Sequence, residues 1–259
     1  MSTTSTQRCR RFIGLDELAQ DEIGFDGWLF SMATGYSPNI TKIYMANTSP
    51  DFAVGDYGKF FTNGSDGKLP TDTDEHRKQL VQWVEEAGGV VAAFDVTTKG
   101  VLHAAFGGEW SRLKDSNGKP PGMIGVLPQN AVTFIDNQDT ESQKLWPFPT
   151  DYVMLGYVYI LTHPGIPSIF YDHFFLWGIK EELIYFSTLR RKKGISETSK
   201  VQIMAAESGL YVAMIDGVII VKIGPNGGMG NLIPPNYHWL TQGKTMLFGR
   251  KMLVFVLSK

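Results

Sequence analysis

Short apolar runs recur along the first two thirds of the chain, and stretches with helical spacing lie between them. Five of these runs predict buried strands, at residues 25–30, 51–56, 90–95, 131–136 and 167–171. Runs that stay apolar at nearly every position are typical of parallel strands covered on both faces. Helices are predicted at residues 73–87, 151–161 and 177–192. Strands that alternate with helices predict an α/β domain with a parallel sheet.

The pattern changes after Ser196. Strand-like runs follow one another at residues 200–205, 209–216, 217–223 and 251–257, with no helical pattern between them. The pair Asp216-Gly217 separates two of these runs and is typical of a tight hairpin turn. The predicted organisation is a tail and the start of a helix at 1–19, an α/β domain at 20–195 and a small antiparallel β domain at 196–259.

Composition and charge exclude several classes of protein. The 259 residues include 24 Lys+Arg and 26 Asp+Glu, so the net charge of -2 argues against a nucleic-acid partner. No apolar stretch reaches the length of a membrane span, and the start lacks the apolar run of a secretory signal. We therefore expect no membrane partner and, by default, a cytoplasmic location. The single cysteine, Cys9, excludes internal disulfides and a cysteine-based zinc site.

Carboxylates follow three of the predicted strands. Asp56 and Asp95 each follow one strand, and Asp136 and Asp139 follow another. Barrel enzymes place their chemistry at the carboxyl ends of parallel strands. The alternative is that strand ends are exposed and simply polar, and the residues alone leave both readings open.

A collinear series of motifs carries a family resemblance. It begins with Gly24-Phe25-Asp26-Gly27-Trp28 and continues at residues 35–36, 49–55, 122–125, 131–137, 146–149, 159–165, 169–173, 211–213 and 231–234. From about residue 20 to about residue 243 the chain resembles the C-terminal part of plant alpha-amylases. The resemblance implies a partial (β/α)8 TIM-type barrel, with strands resembling four to eight, followed by an antiparallel β domain. It also implies retaining hydrolysis of internal α-1,4-glucosidic bonds in starch and related glucans.

The same resemblance implies three catalytic positions, and two of them differ here. Ser31 stands where the family has its nucleophilic aspartate, and Leu29 stands at the arginine that neighbours it. A serine needs an adjacent base to act as a nucleophile. Asp56 stands at the general-acid glutamate and is shorter by one methylene. Asp139 keeps the third carboxylate, which stabilises the transition state.

Substrate and metal contacts are implied as well. Gln138 replaces a histidine that donates a hydrogen bond to substrate, and Tyr211 matches a tyrosine that grips sugar in some members. An ordinary strand tyrosine is the alternative for Tyr211. The backbone of Gly35 matches a calcium ligand, but calcium takes about six to eight oxygens. Nothing in the sequence resembles the calcium-binding insertion or strands one to three, and a complete barrel needs about 250 residues.

Three functional hypotheses follow from these positions. The first is an alpha-amylase-like pseudoenzyme whose partner is starch or another α-glucan and whose hydrolysis is lost or strongly impaired. The second is an active hydrolase that uses Asp56 and Asp139 with an unusual nucleophile or a water. The third is a non-catalytic glucan-binding or interaction protein. An incomplete barrel leaves an open sheet edge, which allows self-association.

Overall fold

The computed structural model describes residues 23–58, 73–247 and 250–258. Two five-stranded sheets organise these residues, the first parallel and the second antiparallel. No helix in the described ranges is long and apolar enough to cross a membrane.

The first sheet contains five parallel strands in chain order. They are β1 (Gly27–Phe30), β2 (Phe52–Gly55), β3 (Ala92–Phe94), β4 (Ala131–Thr133) and β5 (Ile166–Pro167). The helices between and after them are α1 (Pro38–Thr48), α2 (Asp74–Glu86), α3 (Val96–Phe106), α4 (Val153–Thr162), α5 (Tyr171–Phe175) and α6 (Lys180–Lys192). This repeated strand–helix order confirms the prediction of a partial (β/α)8 barrel.

The two faces of the first sheet differ in how they are covered. The helices pack on one face in a large apolar core that includes Ala53, Ala93 and Ala131. The opposite face carries a small cluster of Val54, Ala92 and Val132. At its β1 end this second face is open, with Leu29 54% exposed and Phe52 45% exposed. In the described part of the chain, β1 is therefore a free edge beside an apolar surface.

The second sheet has the order β6–β7–β8–β10–β9. Its strands are β6 (Val201–Glu207), β7 (Leu210–Ile215), β8 (Ile219–Gly224), β9 (His238–Leu247) and β10 (Arg250–Ser258). The predicted antiparallel β domain is confirmed, and the turn at Asp216 and Gly217 joins β7 to β8. One face of this sheet joins the apolar core of the first sheet through Tyr211, Ala213 and Val221. The domain boundary at residue 195 stays a prediction.

The fifth predicted strand, at residues 167–171, is wrong in extent. The strand is Ile166–Pro167, and Tyr171 already begins α5. The chain leaves the sheet because the Phe170 N–H donates to the buried Tyr157 hydroxyl at 3.2 Å instead of to a neighbouring strand. The strand predicted at 90–95 also ends early, since Asp95 caps α3.

Candidate active site

Backbone hydrogen bonds tie the ends of β1 and β2 together. The Asp56 N–H donates to the Phe30 carbonyl at 2.9 Å, and the Ala33 N–H donates to the Asp56 carbonyl at 3.0 Å. Met32, with a φ of 49°, turns the chain back in the left-handed region to make the second bond. β1 and β2 are in register up to their last residues, so Ser31 and Asp56 occupy neighbouring positions just beyond the strands.

Gly55 determines how closely helix α2 approaches the strand that carries Asp56. A Cβ at Gly55 would lie 2.0 Å from Cη2 of Trp83. The absence of a side chain lets the Trp83 indole pack directly under β2. Tyr57 stacks on the same indole, with ring centroids 5.5 Å apart and an interplanar angle of 22°. Asp56 is thus held between two residues that are fixed to one aromatic anchor.

Asp56 and Asp139 form a carboxyl pair at this edge of the sheet. Asp139 is the neighbour whose charge and side chain act on the Asp56 carboxyl group. Burial raises the pKa of Asp56 above its usual range, and the charge and hydrogen bond of Asp139 raise it further. The Gln143 side chain donates to Asp139 Oδ1 at 2.7 Å, which holds that carboxyl in place. The surroundings of Asp56 therefore favour its protonated form.

Asp139 lies on a turn with π-helical hydrogen bonding, Gln138–Ser142. The Asn137 side chain accepts from the backbone N–H groups of Asp139 and Thr140, and the Thr140 hydroxyl accepts from the Asn137 N–H. Single π-turns occur frequently at functional sites. Gln138 is exposed at the start of this turn, so its amide is available to a ligand beside the carboxyl pair.

A buried ion pair supports the turn from below. Lys99 Nζ donates to Asp136 Oδ1 at 2.8 Å and to the Ile135 carbonyl at 2.5 Å, and both side chains are fully buried. Asp136 also accepts from the Thr140 hydroxyl at 2.8 Å and from the Phe148 N–H at 3.1 Å. Burial lowers the pKa of Lys99, although the charge of Asp136 opposes that shift. Asp136 therefore anchors both ends of the segment that carries Asp139.

His173 extends this buried network to helix α5. Its Nδ1 is 2.8 Å from the Tyr157 hydroxyl, and its Nε2 lies 3.7 Å from Asp136 Oδ2. Burial lowers the pKa of His173, against the pull of Asp136. Sequence reasoning missed Lys99. The available signal was a lysine surrounded by apolar and small residues in a stretch where an exposed charge would be unusual.

Asp95, the carboxylate at the end of β3, has a structural position. It is fully buried, and it accepts from the Thr98 N–H at 2.9 Å, the Thr98 hydroxyl at 2.6 Å and the Ile124 N–H at 3.0 Å. Burial raises its pKa, while these hydrogen bonds oppose the shift. Its oxygens accept hydrogen bonds from the first turn of α3 and from the segment before β4. Asp95 is therefore not available to a ligand beside Asp56 and Asp139.

Ser31 and Leu29 lie on the free side of β1, in a groove of about 410 Å³ between the strand and α1. The groove is lined by Trp28, Leu29, Phe30, Ser31, Tyr36, Ile40 and Tyr44. None of these side chains is charged. Within the described ranges, no base is hydrogen-bonded to the Ser31 hydroxyl. The position implied for a nucleophile is thus an exposed hydroxyl beside an apolar groove.

Tyr211 lies inside the protein, not on a sugar-binding surface. It is 0% exposed, and its hydroxyl is 2.8 Å from His163 Nε2. His163 stacks on Tyr159 with ring centroids 3.9 Å apart, and burial lowers the His163 pKa to about 3. Burial also raises the pKa of Tyr211 well above its usual value. This packing corrects the expectation of a sugar contact, because the ring presents no face to solvent.

Gly35 does not complete a calcium site. It lies at the end of a short 3-10 turn, and a Cβ there would meet nothing within 4 Å. Across residues 23–58, 73–247 and 250–258, no group of three His, Cys, Asp or Glu side chains could hold a metal ion. One carbonyl oxygen falls far short of the six to eight that calcium takes. The described residues therefore do not fit the ion that the family resemblance implies.

Comparisons of sequence place these motifs among known proteins. A family profile described as "Alpha-amylase C-terminal beta-sheet domain" matches residues 192–246. The chain is 42% identical over 230 residues to "Probable alpha-amylase 2" of Arabidopsis thaliana, covering 88% of this chain and 54% of that protein. It is 52% identical over 144 residues to "Alpha-amylase type B isozyme" of Hordeum vulgare, covering 55% of this chain and 94% of that sequence. The chain therefore spans about half the length of the first of these relatives.

Solved structures share the fold at low sequence identity. An alpha-amylase from Geobacillus thermoleovorans complexed with acarbose aligns with a TM-score of 0.59 at 12% identity, covering 100% of this chain and 66% of that one. A pullulanase from Anoxybacillus complexed with maltotriose aligns with a TM-score of 0.64 at 10% identity, covering 100% and 46%. These matches concern the fold, while the sequence matches define the family. On the strength of the latter, the chain belongs to the alpha-amylase family.

Proposed function

We propose that this chain is an alpha-amylase-family protein whose hydrolysis of α-1,4-glucosidic bonds is lost or strongly impaired, and whose partner is starch or a related α-glucan. The observation that carries the proposal is the surroundings of Ser31. A retaining glycosidase needs an ionised carboxylate to attack the anomeric carbon. Ser31 offers a hydroxyl with no hydrogen-bonded base, and the groove beside it has no charged side chain to activate it.

The contact between Asp56 and Asp139 argues against the second hypothesis, in which a water replaces the nucleophile. An inverting glycosidase keeps its two carboxyl groups about 6.5–9.5 Å apart, because an attacking water and the sugar lie between them. Asp56 and Asp139 are close enough for the charge and the side chain of Asp139 to act on Asp56, which disfavours a separation that holds both a water and a sugar ring. Asp56 retains the features of a general acid with a neighbouring carboxyl group, and the site lacks a group that attacks carbon.

The non-catalytic glucan-binding protein remains the second candidate. A cavity of about 630 Å³ lies next to the turn that carries Asp139, and its walls include Trp177 and Glu141. A ligand site of this size does not depend on Ser31. Under this candidate, the open edge of β1 offers a route to self-association, which sedimentation of the full chain would measure.

The test is to measure reducing ends released from soluble starch. The wild-type chain is compared with a Leu29→Arg/Ser31→Asp double variant, which restores the cation and carboxylate of the family's fourth strand. We expect little or no turnover from the wild type, and an increase in the double variant if the remaining site is still assembled. Robust wild-type turnover would contradict the proposal.

Two further variants complete the design. Adding Asp139→Asn to the double variant should abolish any restored activity, because it removes the remaining anion beside the reacting centre. Adding Asp56→Glu lengthens the acid by one methylene and should raise the restored rate, since errors of about 1 Å in position cost about 100-fold in rate. Activity that survives Asp139→Asn would indicate a contaminating amylase.

A further inference from the structure

The cavity of about 630 Å³ lies between two loops at the carboxyl ends of β4 and β5. One wall is the segment that follows the Asp139 turn, and the other is the link between α5 and α6. It is separate from the groove that holds Ser31, and the two cavities share no lining residue. Its volume is within the range of about 300–1,000 Å³ that is common for small-molecule sites.

Two backbone irregularities shape the first wall. The π-helical turn Gln138–Ser142 directs Glu141 into the cavity lining, and Lys144 then adopts the left-handed conformation with a φ of 56°. The side chains of Glu141 and Lys144 form an ion pair across this bend. A lysine at positive φ costs free energy, and such residues cluster at functional sites and ligand clamps. An ion pair therefore spans the strained bend in this wall.

Aromatic and apolar groups form the rest of the cavity. Trp177 and Leu176 line the second wall, and Phe148 lies at the base. The Trp177 ring is fixed from behind by His173, with ring centroids 4.4 Å apart at an angle of 63°. Phe148 is fixed by the hydrogen bonds from its N–H to Asp136. The indole is thus positioned before any ligand arrives, and it is only half-buried.

The balance of charge indicates which ligands the cavity suits. Glu141 and Lys144 are the charged residues of the lining, and they neutralise each other. A neutral ligand keeps that pair intact, whereas an anion or a cation would have to compete with one of its members. A sugar residue is neutral, has an apolar C–H face for an aromatic ring, and carries hydroxyls for a carboxylate, an ammonium and the Thr150 hydroxyl.

We propose that this cavity binds a glucosyl unit of an α-1,4-glucan, with Trp177 as the stacking surface and Glu141 and Lys144 as hydrogen-bonding partners. The choice of an α-glucan over other neutral sugars rests on the proposed function, whereas the location rests on the cavity alone. The site holds glucan beside the carboxyl pair and does not itself take part in bond cleavage.

Isothermal titration calorimetry of the full chain with maltotriose tests the proposal, with cellotriose as the stereochemical control. We expect weak, saturable binding of maltotriose and none of cellotriose. The Trp177→Ala variant should weaken maltotriose binding about tenfold, which is the loss of one aromatic stacking contact. Trp177→Phe should restore most of the affinity, because a ring remains in place.

A second variant protects the test against misfolding, since Trp177 also packs on His173. Glu141→Gln keeps the shape of the side chain, removes its charge and releases Lys144. It should weaken maltotriose binding about threefold, because charge-assisted hydrogen bonds are about twice as strong as neutral ones. Tyr171→Ala is the matched control, since Tyr171 is an exposed aromatic residue of α5 that does not line the cavity. It should leave the affinity unchanged.

Each result bears on one part of the proposal. Wild-type affinity in both Trp177→Ala and Glu141→Gln would overturn the location, as would a loss confined to Tyr171→Ala. Absence of maltotriose binding by the folded wild-type chain would overturn the ligand. If instead the proposed loss of catalysis is wrong, the chain releases reducing ends from starch. It then does so in the Trp177 variants as well as in the wild type, so the two failures are distinguishable.

Discussion

Two regions at the carboxyl ends of the parallel strands differ in what surrounds their polar groups. Beyond β4 and β5, Asp136 and Lys99 form a fully buried ion pair whose neighbours satisfy nearly every remaining oxygen and proton. Beyond β1, Ser31 and Leu29 are exposed at the edge of an apolar groove. The first region supports the site from within, and the second presents the position at which the family's chemistry begins.

This difference gives the physical basis on which the proposed loss of activity leaves the fold intact. A buried charge network is difficult to dismantle one residue at a time, because each removal leaves a partner buried and unpaired. A substitution at an exposed position near a strand end costs little stability, because water solvates the new side chain. Leu29 and Ser31, which by resemblance stand at an arginine and an aspartate of the family, are exposed and fall in the second class. The comparison predicts that the supporting region governs stability and the exposed region governs activity.

The largest expected effect is on the buried pair. Lys99→Met should lower the free energy of unfolding by about 3–5 kcal/mol, because it leaves the Asp136 carboxylate buried without its counter-charge. Chemical denaturation monitored by fluorescence measures the change. Lys144→Met is the matched control, since the Lys144 side chain is 65% exposed and solvent screens its ion pair with Glu141, so that the pair should contribute about 1 kcal/mol or less. Equal losses in the two variants would remove the distinction between the regions.

The second-largest effect on stability is expected at Gly55, where helix α2 packs under the strand that leads to Asp56. Gly55→Ala places a methyl group 2.0 Å from the Trp83 indole, so the helix or the strand must shift. Overpacking of this kind costs about 1–3 kcal/mol, and the shift should also disturb the contact between Asp56 and Asp139. Gly35→Ala serves as the control because its Cβ would meet open space. Thermal denaturation of both variants tests whether Asp56 depends on the supporting region.

Much of the fold follows from the sequence, because long apolar runs and a change of period are strong signals. The five parallel strands and the antiparallel domain were predicted from such runs. Helices α1 and α3 were not, because α1 mixes polar and apolar residues without a clear apolar face and α3 is buried nearly all round although it contains polar residues. Strand β9 was missed as well. In these elements tertiary contacts override a weak local pattern.

The motifs name Ser31, Asp56 and Asp139 as site positions, and that assignment stays a prediction. In the structure Asp139 acts on the Asp56 carboxyl group, which the motifs alone do not show. The sequence does not predict the burial of Tyr211, because the alternation of side chains along a strand does not show which face of the sheet packs against another domain. The role of Lys99 depends on the meeting of α3 with the segment after β4, which are 37 residues apart in the chain. Long-range contacts of this kind leave little local signal.

A smaller effect sharpens the assignment of Tyr211 to the supporting region. Tyr211→Phe removes the hydroxyl that is paired with His163 Nε2, and it should cost about 1 kcal/mol of stability. Denaturant unfolding measures that loss, and affinity electrophoresis in amylopectin gels shows whether glucan retention changes. We expect unchanged retention. Weaker retention of the variant in the amylopectin gel, without a loss of stability, would indicate that Tyr211 contacts the glucan after all.

The smallest effect lies in the exposed region and appears as a pH dependence. The pKa of Asp56 is raised in the folded state by burial first and by Asp139 second, so the folded chain holds more protons than the unfolded chain between the ordinary and the raised value. Stability therefore falls as pH rises through that window and changes no further above it. Asp139→Asn removes the neighbouring charge, so the pKa of Asp56 should fall while staying above its usual value, because burial remains.

Carbon-13 NMR titration of the Asp56 carboxyl group in the two proteins measures this shift directly. The Gln143→Ala variant is a useful companion, because it frees Asp139 from its 2.7 Å hydrogen bond without changing any charge. It should leave the Asp56 titration nearer to the wild type than Asp139→Asn does. An Asp56 pKa that is the same in the wild type and in Asp139→Asn would mean that the two carboxyl groups do not face each other in solution. The space between them would then be wide enough for a water, and the argument against a water-based hydrolysis would lose its geometric support.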